Sequence, residues 1–166
     1  ADTLLENFAP EEIEVVVAHE IAHQAHRDIW RFIGIGTLMT AGSSFAVERL
    51  ANWAIARFPG RVGVRRLSDV AALPLLAFIM GLVGLVTMPL VNAYSRLLER
   101  RADTFALDLT RDPQGFVGAM ERLAELNLAE LQPPAIVKYT LYSHPPIEER
   151  IERGRRWQRE QHQAAD

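Results

Sequence analysis

Two runs of uncharged, mainly apolar residues organise this chain. Phe32–Val47 covers 16 residues and Val70–Ser95 covers 26. As a helix, the second run is long enough to cross roughly 30 Å of hydrocarbon. The first is short alone, but beyond Glu48 and Arg49 the apolar pattern resumes as Leu50–Ala56, so that Phe32–Ala56 also reaches membrane length. The pattern predicts a two-helix transmembrane hairpin. The alternative is a buried hairpin inside a soluble domain, and 26 uncharged residues are hard to bury in a chain of 166.

Helical periodicity and its punctuation predict an all-α chain. Pro10 followed by Glu11 and Glu12 suits a first helical turn, and no Gly or Pro interrupts Glu11–Ile33, which predicts one amphipathic helix running into the first apolar segment. Phe58-Pro59-Gly60 marks a turn, and Ser68 or Asp69 can cap the second long helix. Pro74 and Pro89 are expected to kink or break that helix, with helix resuming over Leu90–Thr110. Asp112-Pro113 reads as a cap and first position of a helix ending near Asn127. Pro133-Pro134 breaks the chain again, and a last charged helix follows over Ile147–Gln161.

Composition narrows the chemistry. The length fits one domain with a sizeable core. A net charge of −3 gives no global positive field, so nucleic acid is not expected as a partner. There is no Cys, so disulfides and thiolate metal sites are excluded and any metal must sit on His, Asp or Glu. The basic residues are 17 Arg and one Lys, a bias that suits a GC-rich bacterial genome. The chain opens Ala1-Asp2-Thr3 without Met or a signal-peptide pattern, and is expected to be a piece of a longer protein.

The feature that carries chemistry is His19-Glu20-Ile21-Ala22-His23. Spacing of i and i+4 on a helix puts both imidazoles on one face, one turn apart, where they can bind a single Zn²⁺. Glu20 then projects beside the metal, placed to take a proton from an attacking water rather than to ligate. A polar helix face at a membrane surface is the plainer alternative, but two His and a Glu on a mostly apolar helix are costly without a partner.

A catalytic zinc needs a third protein ligand. His26 is too near His23 on the same helix to wrap a tetrahedral ion easily. Glu48 lies too far along it. The extended motif with Gly at position 26 and His at 29 is absent, because His26 and Ile29 stand there. Glu99 is the preferred candidate, since two membrane crossings return the chain to the side it left and bring Glu99 back beside His19 and His23. Asp103, four residues on, shares its face and can accept the other ring N–H of a ligand histidine. The alternative for both acids is a solvated face paired with Arg96 and Arg100.

These residues resemble the integral-membrane zinc metallopeptidases typified by the type 1 CAAX prenyl endopeptidase, with HtpX-like heat-shock proteases as close relatives. The resemblance runs through Asp2-Thr3-Leu4-Leu5, Ala18–His23 with His26-Arg27 and Trp30, and the two apolar spans. It continues in Asn92, Ser95-Arg96, Glu99, Ala102-Asp103, Ser143-His144-Pro145-Pro146 and Glu149-Arg150-Ile151. It implies one Zn²⁺ on His19, His23 and Glu99, a gluzincin-like site, with Glu20 as catalytic base. It also implies a single metallopeptidase domain over 1–166, with the hydrophobic hairpin 32–94 inserted between the motif helix and a Glu-xxx-Asp helix. Further transmembrane helices upstream of Ala1 are expected, and a bacterial inner-membrane location with the zinc side cytoplasmic.

Other assignments stay open at this stage. His144, held on a stiff turn before two prolines, can donate a hydrogen bond to an oxyanion or substrate backbone, or merely pack at a helix entry. Arg96 can brace Glu99, bind a peptide carboxylate or form a surface pair, and Asn92 joins it as a supporting residue by resemblance. The Arg-rich tail from Arg150 to Arg159 reads as a solvated helix.

The function expected is hydrolysis of peptide bonds by a zinc-activated water with Glu20 as general base, on peptide or protein substrates at the bilayer. Those substrates are CAAX-like or membrane proteins under quality control. The rival is a non-catalytic membrane module that binds a partner or lipid, with zinc structural or absent.

Overall fold

The computed structural model of the chain describes residues 2–128, 130 and 132–165. The expected domain ends at residues 1 and 166, and the side chains of Asp2 and Thr3 in the opening motif, lie outside the described residues. The chain is all-α, with no strand among the described residues. The helices are α1 (Asp2–Asn7), α2 (Pro10–Ala25), α3 (Asp28–Arg57), α4 (Pro59–Val62), α5 (Leu73–Thr110), α6 (Pro113–Leu126), α7 (Ala135–Thr140) and α8 (Ile147–Ala165), with a 3₁₀ turn over Val70–Ala72.

Local chemistry explains most of the boundaries. The Glu12 carboxylate reaches back to accept the Ala9 N–H at 2.9 Å, opening α2 with Pro10 in its first turn. Asp112 Oδ1 accepts the N–H groups of Gln114 at 3.1 Å and Gly115 at 2.9 Å, capping α6 as expected from Asp112-Pro113.

Two expectations are corrected. The predicted continuous helix Glu11–Ile33 is broken: His26 closes α2, Arg27 takes a left-handed φ of 55°, and α3 starts afresh at Asp28. No Gly or Pro announces this break, across which the Asp28 carboxylate comes to lie 3.0 Å from His23 Nδ1. Conversely, of the kink or break expected at Pro74 and Pro89, the break does not occur: α5 is continuous for 38 residues. Pro74 lies in the first turn, where no N–H is required. Pro89 removes one bond from a helix long enough to continue past it.

The chain divides into two compact units, Ala1–Ile29 with Asn92–Asp166, and Trp30–Val91. In the first, α6 packs on α8 and on α2. Its core is Val15, Leu107, Phe116, Ala119, Met120 and Ile151, flanked by Val16, Val117, Leu123, Ile147 and Trp157. Gly154 lets α8 approach α6 closely: a Cβ there would stand 3.0 Å from Phe116 Cδ1 and 3.1 Å from Val117 Cγ2. Gly154→Leu is therefore expected to destabilise the unit by about 1–3 kcal/mol through overpacking. Thermal denaturation checks this, since an unchanged midpoint would mean that α6 and α8 can part without loss.

The second unit exposes its apolar residues. Trp30, Leu38, Phe45, Phe78, Met80, Leu85, Val86 and Leu90 are all largely accessible. Val70–Thr110 is long and apolar enough to cross a membrane, and only 11% of its most apolar stretch is buried. Among the described residues it is the one helix that qualifies. The helix expected as the first crossing, α3, has sufficient length at 30 residues. Its Gly, Ser and Thr residues and the Glu48-Arg49 pair dilute its apolar character.

Candidate metal centre

Helix α2 carries His19 and His23 one turn apart, and α5 presents Glu99 to both. His19 Nε2 lies 3.3 Å from His23 Nε2 and 3.3 Å from Glu99 Oε2, and His23 Nε2 lies 3.5 Å from Glu99 Oε1. The Glu99 carboxylate thus meets each imidazole through a different oxygen, and one ligand atom from each of the three residues lies within 4.8 Å of the others. A tetrahedral Zn²⁺ with bonds of roughly 2.0–2.1 Å requires ligand–ligand edges of about 3.3–3.4 Å. The two imidazole nitrogens stand at that spacing and the carboxylate reaches both, so the donor set fits zinc, with the cleft side left for one further ligand. Glu99 is 8% exposed, so its charge is largely removed from water and needs the cationic or metal partner that this cluster provides.

Each imidazole is held from behind by a carboxylate. Asp103 Oδ1 lies 3.1 Å from His19 Nδ1, and Asp28 Oδ2 lies 3.0 Å from His23 Nδ1. Asp103 is fully buried. Its two oxygens are clamped by Arg150 of α8, which donates from Nε to Oδ2 at 3.0 Å and from Nη2 to Oδ1. Arg150 Nη2 also approaches His19 Nδ1 to 3.5 Å, so two donors converge on one buried carboxylate. This arrangement replaces the alternative pairing of Asp103 with Arg96 or Arg100.

The electrostatics of His19 follow. Burial disfavours its charge, but hydrogen bonds to Asp103 and Glu99 outweigh burial and raise its pKa from 6.5 to about 9. In the metal-free protein His19 holds a proton through neutral pH, and a metal must displace it. Metal affinity is expected to rise roughly tenfold per pH unit below about pH 9, where His19 loses its proton, and to level off above it. Metal-buffered titrations at several pH values read this directly, and a flat profile would show that no proton is displaced.

A cleft of about 280 Å³ opens on the cluster, lined by the apolar Val16, Phe116, Met120 and Leu123 and by the polar Glu20, His144 and Arg150. Glu20 is exposed in it, beside His19. His144 sits at the rim with its side chain 62% exposed and Nε2 3.5 Å from Glu99 Oε1, while Nδ1 shares a hydrogen bond of 3.0 Å with Ser143 Oγ.

Arg96 and Asn92 act on the segment leading to His144. Buried Arg96 donates to the carbonyls of Tyr142 at 2.5 Å and Tyr139 at 3.3 Å, and Asn92 donates to that of Thr140 at 2.6 Å. Arg96 thus closes the end of α7 rather than pairing with a surface acid. His26 turns its ring onto Phe105, with centroids 5.6 Å apart, and is not part of the donor cluster.

Two residues of this centre have roles that sequence reasoning does not find. Asp28 carries no local signal, because its approach depends on the break after α2. Arg150 stands in Glu149-Arg150-Ile151, one of the segments that carry the resemblance, but reads as part of a solvated charged helix, and its pairing with Asp103 is seen only in the fold.

The sequence pattern of peptidase family M48 matches residues 1–158. The chain is 28% identical over 166 residues to an uncharacterized metalloprotease, YhfN, of Bacillus subtilis, a match covering 99% of this chain and 39% of that protein. It is 31% identical over 174 residues to a protease HtpX homolog of Streptococcus gordonii, covering 92% and 57%. To a protease HtpX homolog of Leuconostoc citreum it is 35% identical over 161 residues, covering 86% and 53%. The chain spans about half the length of the curated relatives it matches.

Proposed function

The chain belongs to peptidase family M48, and from that premise we propose that it forms the catalytic part of a membrane-embedded zinc metalloendopeptidase. The observation that carries the proposal is the donor cluster of His19, His23 and Glu99, with the two Nε2 atoms 3.3 Å apart and lying 3.3 and 3.5 Å from the two Glu99 oxygens, open to a cleft that also holds Glu20. When bound, Zn²⁺ would supply Lewis acidity to a scissile carbonyl and acidify a water.

The remaining work falls to the chain itself. Glu20 takes the proton of the attacking water and returns it to the leaving amine. His144, across the cleft, donates a hydrogen bond to the carbonyl oxygen as negative charge develops there. Arg96 and Asn92 hold the turn that presents His144. Asp103, clamped by Arg150, keeps His19 oriented toward the donor cluster.

An exposed base beside a metal set has no use in a purely structural site, which favours hydrolysis over a non-catalytic module. Cleavage of an unstructured protein by the full-length enzyme, abolished by a chelator and restored by zinc, tests the activity. A chelator-insensitive rate would defeat it.

The exposed apolar surface of the second unit and the length of Val70–Thr110 support insertion in a bilayer. The relatives named above are bacterial, and quality-control cleavage of membrane proteins is the substrate reading we adopt over prenylated CAAX peptides. The inner membrane, with the metal centre on its cytoplasmic side, is the matching location. Labelling of single Cys residues placed at the otherwise Cys-free surface tests sidedness.

A further inference from the structure

We infer that Asp28 is a positioning residue for the metal centre, fixing the orientation and tautomer of His23, and that the break between α2 and α3 is what brings it there. The inference rests on the metal-site reading above. His23 uses its two nitrogens differently. Nε2 faces the cluster, 3.3 Å from His19 Nε2 and 3.5 Å from Glu99 Oε1, whereas Nδ1 lies 3.0 Å from Asp28 Oδ2. A proton on Nδ1, donated to Asp28, leaves the Nε2 lone pair free to bind a cation.

Position 28 could not do this on an unbroken helix. Five residues at 3.6 per turn would set Asp28 about 140° around the axis from His23. The chain instead closes α2 at His26, turns through Arg27 at φ 55°, and restarts at Asp28. A left-handed, non-glycine residue is unfavourable and persists only where its surroundings hold it. Here the holding contact is visible: Asp28 is 2% exposed, and its carboxylate is joined to the His23 ring. The site then has a symmetrical logic. His19 is oriented by Asp103 from α5, and His23 by Asp28 from the first residue of α3. Because α3 runs on from Asp28 into the apolar residues, the geometry of a metal ligand depends on where that helix begins.

A purely structural Asp28 would affect folding but not the metal, and the two roles separate by experiment. Zinc affinity is measured on the full-length protein by competition with a chromophoric chelator, for the parent, Asp28→Ala and Asp28→Asn. Asp28→Ala should weaken zinc binding by roughly 10–100-fold, and Asp28→Asn by less, since an amide oxygen still accepts the ring N–H. Long-range ¹⁵N–¹H spectra of the zinc-loaded parent should show the His23 proton on Nδ1, a readout that stands even if Asp28→Ala does not fold. Parental affinity in a folded Asp28→Ala, or a proton on Nε2 in the parent, would overturn the inference while leaving the metal site intact. A parent that binds no zinc would overturn the metal site and the inference together.

Discussion

Glu20→Gln is expected to retain zinc and the fold while losing peptide hydrolysis by roughly 10²–10⁴-fold, the scale of a lost general base. Glu20 lines the cleft from the exposed side of α2 and is not one of the three clustered donors. Gln keeps its shape but cannot take a proton from water. The variant should therefore change turnover and leave metal content alone. Parallel elemental analysis and single-turnover cleavage separate the two quantities. Retained activity would remove Glu20 from proton transfer, and a loss of zinc would make it a ligand.

Glu99→Gln should do the reverse. Glu99 is the anionic donor of the cluster, with Oε2 3.3 Å from His19 Nε2 and Oε1 3.5 Å from both His23 Nε2 and His144 Nε2. A neutral amide binds Zn²⁺ weakly, and loss of a direct ligand should exceed the roughly 10–100-fold cost of losing a supporting residue. Zinc content should fall from one ion per chain to well below it. Activity would fall with it and recover in part at high zinc concentration. Full occupancy at trace zinc would take Glu99 out of the coordination sphere.

The sequence made the donor positions readable because helical spacing is rigid. His19 and His23 share a face by arithmetic alone, and Glu99 and Asp103 share another. That the two faces meet follows from the idea that two long apolar segments return the chain to its starting side, and from the family resemblance, not from either local pattern. The α2–α3 break was not readable. The run from Glu11 to Ile33 has no Gly or Pro, and the left-handed Arg27 goes with a buried Asp28 at 3.0 Å from the His23 ring, a pairing that no local pattern announces.

At Pro89 a kink or a break is expected, and the break does not occur: losing one N–H does not end a helix of 38 residues. Arg150 was concealed by its neighbours. Amid Glu149, Glu152, Arg153, Arg155 and Arg156 it reads as part of a solvated face, yet α8 turns it inward onto Asp103. Its role depends on packing between α8 and α6, which Gly154 permits; Glu149-Arg150-Ile151 marks the residue by resemblance but not its partner.

The central claim is that His19, His23 and Glu99 hold one zinc ion with an open position toward the cleft. X-ray absorption at the zinc edge of the full-length protein tests it most directly. The expected spectrum has two imidazole nitrogens and two oxygens, one of them from solvent, at roughly 2.0–2.2 Å. In Glu99→Gln at matched zinc occupancy, the carboxylate oxygen should be replaced. A shell of three or more imidazoles, or a spectrum identical in the parent and Glu99→Gln, would contradict the account.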